Sequence, residues 1–157
     1  MRVATQTSLQ IRQRQSADDR FIGRLAAQAF AEYDGQPTVT VQRLVQRGTT
    51  WVAWREGTPI GFATVHPRSA LSADLCAIAV QEEARGLGVG RALLAHVELS
   101  VVRAGLDEIR LHTAESNLSA LELFLKCGFR LQRRIPRFYR GVYDACVLVK
   151  SVAAAGR

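Results

Sequence analysis

The run over residues 84–94, ARGLGVGRALL, constrains this chain more than any other stretch. Gly86, Gly88 and Gly90 alternate between Arg85 and Arg91, after a β-rich run over 74–80. Leu94, Val97, Val101 and Ala104 then follow at helical spacing, with Gly105 as the stop. Glycines at a strand-to-helix junction let the backbone approach a ligand closely, and the helix N-terminus adds partial positive charge. Such a loop suits a phosphate, although a tight turn without any ligand uses the same residues. Gly90-Arg91-Ala92 lacks the Gly-Lys-Ser/Thr ending of a nucleotide-hydrolysing loop. Nor is the spacing that of a dinucleotide fingerprint, and no second βαβαβ half follows.

Around this loop the pattern predicts strands over 9–12, 50–54, 60–65, 74–80, 108–113 and 144–149. Asp18 reads as the N-cap of a helix over 18–33, with Phe21, Ile22, Leu25 and Ala29 on its inner face. Asp34-Gly35-Gln36-Pro37 breaks that helix, and a short one follows over 41–46. Residues 55–59 make a hairpin turn, and a helix over 117–127, ended by Gly128, points Leu121, Phe124 and Leu125 inward. This order predicts a mixed α/β sheet with helices on its faces. Without repeats or a low-complexity linker, 1–157 reads as one domain with its core over about 8–150 and frayed ends, the tail over 151–157 included.

No apolar run is long enough to cross a bilayer as a helix, and the first fifteen residues lack a signal-peptide core. A cytoplasmic address without membrane contact is therefore expected. Cys76, Cys127 and Cys146 are too few and too scattered for a disulfide framework or a zinc site, so no metal is expected. The net charge of +7 comes almost wholly from arginine, since Lys126 and Lys150 are the only lysines. That suits anionic partners such as phosphates, acidic substrates or nucleic acid. Residues 130–140, RLQRRIPRFYR, hold five arginines beside Phe138 and Tyr139. They read either as a solvated loop between the last strands or as a rim touching an acidic substrate or RNA.

The loop fits R-x-x-G-x-G as Arg85-Gly86-Leu87-Gly88-Val89-Gly90. Downstream, residues 117–129 follow N-x-x-A-x-x-L-Y-x-K-x-G-F, from Asn117 through Ala120, Leu123 and Lys126 to Gly128 and Phe129, with Phe124 in the tyrosine position. In these two motifs, in this order, the chain resembles the GNAT acetyltransferase superfamily. The resemblance implies a GNAT fold: about six to seven strands and four helices, with the fourth and fifth strands splayed apart. It implies acetyl-CoA as co-substrate, with Ile78, Ala79 and Val80 along its pantetheine arm and residues 85–91, Arg85 to Arg91, around its pyrophosphate. Asn117 would contact the pantetheine, and Phe124 would line the thiol end. A looser likeness, including Phe138-Tyr139 ahead of Asp144-Ala145, is to the ribosomal-protein alanine and other N-terminal acetyltransferases.

The implied reaction is direct transfer in a ternary complex to a primary amine, on a peptide N-terminus or a small molecule. The amine must be neutral to attack, which costs about 1 kcal/mol for an α-amine and about 4–5 for a lysine at pH 7. His112, five residues before Asn117, is the candidate base, although a packed strand histidine has the same signature. The family's usual tyrosine donor is replaced by Phe124, so Tyr139 is the first substitute donor and Cys127 a second. Cys76 and Cys127 are covalent carriers only in principle. His66 and His96 read as surface residues, Glu82 and Glu83 as solvated, and Tyr33 and Asp34 lie where the family builds its acceptor site. The alternative is a non-catalytic acyl-CoA-binding module docking on an acidic partner or RNA. Monomer and homodimer both fit.

Overall fold

The computed structural model describes residues 8–153. The expected fraying of residues 1–7 and 154–157 lies outside them. Strand β1 (Gln10–Gln13) leads to helices α1 (Asp19–Phe30) and α2 (Pro37–Arg47). Three antiparallel strands follow, β2 (Thr49–Arg55), β3 (Thr58–Pro67) and β4 (Ser72–Val80). Then come α3 (Val89–Arg103), β5 (Glu108–Ala114), α4 (Leu118–Lys126), β6 (Arg130–Tyr139) and β7 (Tyr143–Ser151). All seven strands join one sheet, ordered β1-β2-β3-β4-β5-β7-β6. Only β4 and β5 run parallel. No helix of the described residues is long and apolar enough to cross a membrane.

Two apolar layers sandwich the sheet. Phe21, Ile22, Leu25 and Ala26 of α1, with Val41 and Val45 of α2, pack on Val52, Phe62, Ala77 and Ala79. On the other face α3 buries Val89, Leu93, Leu94, Val97 and Val101. Phe124 of α4 joins this second core. The β2–β3 hairpin turns through Glu56 (φ 51°) and Gly57 (φ 73°), the paired left-handed positions that match the twist of a two-residue turn.

Several expectations need correction. Asp18 stands at the N-cap of α1, as expected, but its side chain makes no capping hydrogen bond to that helix. It is 3% exposed, and its carboxylate accepts from both guanidinium nitrogens of Arg12 (2.9 and 3.1 Å) and from the Gln15 amide (2.8 Å). The bidentate fork takes the oxygens a cap would have used. Helix α1 stops at Phe30, short of Tyr33, while α2 starts earlier because Pro37 sits comfortably in a first turn. Ala104 and Leu125 face solvent rather than the core. His66 lies within β3, and His96 is half-buried against the Trp51 ring, 5.4 Å between centroids. Ser151 belongs to β7 and is not part of a frayed tail.

The arginine stretch is not a loop. It forms β6, an edge strand paired with β7 and exposed at nearly every position, so it carries no apolar alternation to betray it.

The splay between β4 and β5 has a local cause. The two strands pair only from Ser72, Ala73 and Asp74 to Glu108, Ile109 and Arg110. Immediately beyond, the β3–β4 register skips Cys76, an extra residue that bends β4. β4 then follows β3 as far as Val80, while β5 follows β7 as far as Ala114. Past Asp74, the inner edge of β4 has no strand beside it.

Candidate active site

Two clefts meet in this opening. The first, of about 740 Å3, runs from Ile78, Ala79 and Val80 along the glycine loop to α4. Gly86 and Gly88 hold φ of +77° and +82°, which a side chain would strain. Gly90 serves a different need: a Cβ there would sit 2.9 Å from Leu123 Cδ2, so its absence lets α3 start against α4. The loop and the N-terminus of the fifteen-residue α3 thereby line the cleft, where a helix start favours an anion. Arg85, Val89 and Arg91 also line it. Arg85 donates from Nε to the Val80 carbonyl at 3.2 Å, folding back onto the end of β4. Leu87 is exposed and does not line the cleft. Glu82 and Glu83 are exposed, as expected.

The second cleft, of about 440 Å3, lies on the α1–α2 side and is walled by β4, β5 and the end of β6. Six residues line both: Phe30, Tyr33, Ile78, Asn117, Ala120 and Phe124. Asn117 is the N-cap of α4, its side-chain oxygen accepting from the Ala120 amide at 3.4 Å. Phe124 is buried edge-on against Phe129. The Tyr33 hydroxyl lies 3.3 Å from Ser116 Oγ, and its ring touches those of Tyr139 and Tyr143. Asp34 closes the turn after Tyr33 by accepting from the Gln36 amide at 2.8 Å.

His112 projects from β5 into this second cleft and stacks on Phe138 at 5.1 Å and 17°. The ring is exposed at its outer edge, and the partial burial of the rest holds its pKa below the ordinary 6.5. Asp74 opposes that shift, and Arg110, Arg133 and Arg68 reinforce it. A neutral imidazole at pH 7 follows, able to accept a proton.

Tyr139 lines the second cleft but not the first. Burial, with Cys146 and Tyr33 adding to it, pushes its hydroxyl up to about 12, so it stays protonated. Cys76 also faces this cleft. Burial and then the Asp74 charge push its thiol up to about 11, which leaves almost no thiolate at neutral pH and argues against a covalent acyl carrier. Cys127 ends α4 and lines neither cleft. No group of three or more His, Cys, Asp or Glu among the described residues is placed to hold a metal ion.

Ser116 and Asp74 had no signal in the sequence, and Phe138 stood out only beside the arginines and Tyr139, because the contacts of all three join segments far apart in the chain. Phe138 reaches His112 through an irregularity in β6 between Ile135 and Tyr139. Arg137 takes a left-handed φ of 51° there, and its amide donates to Asp144 at 2.9 Å.

A model of the acetyltransferase (GNAT) family matches residues 14–129. A mycothiol acetyltransferase of Thermobispora bispora is 32% identical over 123 residues, 67% of this chain, which spans only 40% of that relative's length. The structure of Ard1 from Thermoplasma volcanium aligns with 93% of this chain and 99% of its own, at a TM-score of 0.82 and 24% identity. A putative acetyltransferase from Salmonella typhimurium, solved with its cofactor acetyl-CoA, aligns with 96% of this chain and 97% of its own. Its TM-score is 0.79 at 16% identity. These structures share the fold.

Proposed function

The chain belongs to the GNAT acetyltransferase family, and from that premise we propose direct transfer of an acetyl group from acetyl-CoA to a primary amine, on a peptide N-terminus or a small molecule. The meeting of the two clefts at the β4–β5 splay carries this reading. One cleft has the open strand edge and glycine loop that a coenzyme A thioester needs, and the Salmonella neighbour of the same fold was solved with acetyl-CoA. The other has a neutral imidazole and room for a modest acceptor.

In this mechanism the free β4 edge at Ile78, Ala79 and Val80 pairs with the pantetheine amides and polarises the thioester carbonyl. Residues 85–91 receive the pyrophosphate through backbone amides, Leu87 contributing only its backbone. Asn117 and Phe124 flank the reacting carbon. His112 takes the proton from the attacking amine as the C–N bond forms and the C–S bond breaks. A phenol returns a proton to the thiolate. Tyr33, common to both clefts, is better situated for this than Tyr139, which is the second candidate from the acceptor side. A thiolate with a pKa near 8.5 leaves without much help, so Phe124 is no bar to turnover. The three free cysteines support the reducing, cytoplasmic setting expected from the sequence.

The test is thiol release from acetyl-CoA over a panel of amines, with acetyl-CoA binding followed by calorimetry. Release with one class of amine is expected. Tight binding with no release from any of them would overturn the catalytic reading in favour of a binding module.

A further inference from the structure

One face of the sheet is covered by helices over only half its width. Helices α1 and α2 pack over β2, β3 and β4. The same face continues across β5, β7 and β6, where its register rows end in arginine. One row runs Asp74, Arg110, Val149, Arg130, and the next runs His112, Val147, Arg133. Residues directly opposite in a ladder share a face, so these side chains stand together. Val147 and Val149 between them are 0% and 1% exposed. Arg110 Nε is itself buried, with no acceptor among the described residues. Arg68 reaches in from beyond β3, its Nε 3.7 Å from the Asp74 carboxylate. Four guanidinium groups thus share this face with two carboxylates, Asp74 and Glu108, the latter at the far end of β5.

This surface starts at His112, where the acceptor cleft ends. Adjacent strands are about 4.8 Å apart and alternate residues along a strand about 7 Å apart. The arginine rows therefore lie roughly 7–12 Å from the imidazole's position on β5. An extended peptide advances about 3.3 Å per residue, so its second to fourth residues cover that distance. A compact amine that fits the 440 Å3 cleft stops short of it.

We propose that the acceptor is the N-terminal amine of a peptide with acidic side chains at its second to fourth positions, lying across β5, β7 and β6 against Arg110, Arg130, Arg133 and Arg68. This rests on the acetyl-transfer reading above. A second copy of this chain is disfavoured there, since it would bring arginine against arginine. Nucleic acid is disfavoured too: the two arginine rows hold no Phe, Tyr or Trp on which successive bases could stack, and Phe138 at their edge, 47% exposed, has one side taken by His112.

The experiment uses the full chain with coenzyme A bound and peptides labelled at the C-terminus, read by fluorescence anisotropy. One peptide carries aspartate and glutamate at positions two to four, and the other carries their amides. The acidic peptide is expected to bind about tenfold more tightly at low salt. The preference should collapse above roughly 0.5 M salt and in the Arg130→Gln/Arg133→Gln double variant, whose coenzyme A affinity stays unchanged. Equal affinity for the two peptides overturns the proposal, as does tighter binding of a short single-stranded oligonucleotide at the same salt. Thiol release is measured alongside. Acidic-peptide binding without release from any amine overturns acetyl transfer and leaves the surface assignment standing. Release from other amines with no acidic preference does the reverse.

Discussion

Phe124 leaves the meeting point of the two clefts without a phenol on α4, so the proton for the departing thiolate has to come from across the gap. Tyr33 and Tyr139 touch ring to ring at 5.6 Å but differ in reach, Tyr33 bordering both clefts and Tyr139 only the acceptor side. Tyr33→Phe is therefore expected to lower kcat by about tenfold or more, with the acceptor KM little changed. Tyr139→Phe should act chiefly on the acceptor KM. Steady-state kinetics on both variants check this, and the opposite pattern would return the donor role to Tyr139. At this scale the sequence was informative wherever one residue answers to its immediate neighbours. Gly86, Gly88 and Asn117 do so, as a loop backbone and a helix cap. It was silent on Tyr33 meeting Ser116, because 83 positions separate them and only the tertiary fold joins them.

At the scale of elements, the two irregular strands matter most. The extra residue at Cys76 opens β4 away from β5, and the distortion of β6 at Arg137 turns Phe138 onto His112. The imidazole is surrounded by Asp74 from β4, Arg110 on β5, Arg133 from β6 and Arg68 beyond β3, with burial as the main cause of its lowered pKa. Protonated, it accepts nothing, so kcat/KM should fall on the acid side with a limb below pH 6.5. Phe138→Ala admits water to the ring and relieves the desolvation, so that limb should move up toward 6.5. A pH–rate profile of the variant tests this; an unmoved limb would make the stack mere packing. Most elements were legible because their burial alternates with the proper period, as in β2 and α1. β6 was not, since an edge strand exposed on both faces has the composition of a loop.

For the whole molecule, two half-buried acids of high pKa predict its response to alkali. The Cys76 thiol is raised from 9.0 to about 11, and the Tyr139 hydroxyl from 10.0 to about 12. Between the ordinary and the raised values the unfolded chain has released these protons and the native one still holds them. The unfolded state then binds fewer protons, so stability falls as pH rises from about 9 toward 12. Denaturant midpoints across that range should show the decline, and Cys76→Ala with Tyr139→Phe should flatten it. The pairing of β4 with β5 has a mechanical consequence at the same scale. Three rungs at one end join the two halves of the sheet, and α3 straps across both. Those rungs close one end of the splay and the contacts of Tyr33 with Ser116, Tyr139 and Tyr143 bridge the other, so the opening is braced at both ends like a window in its frame.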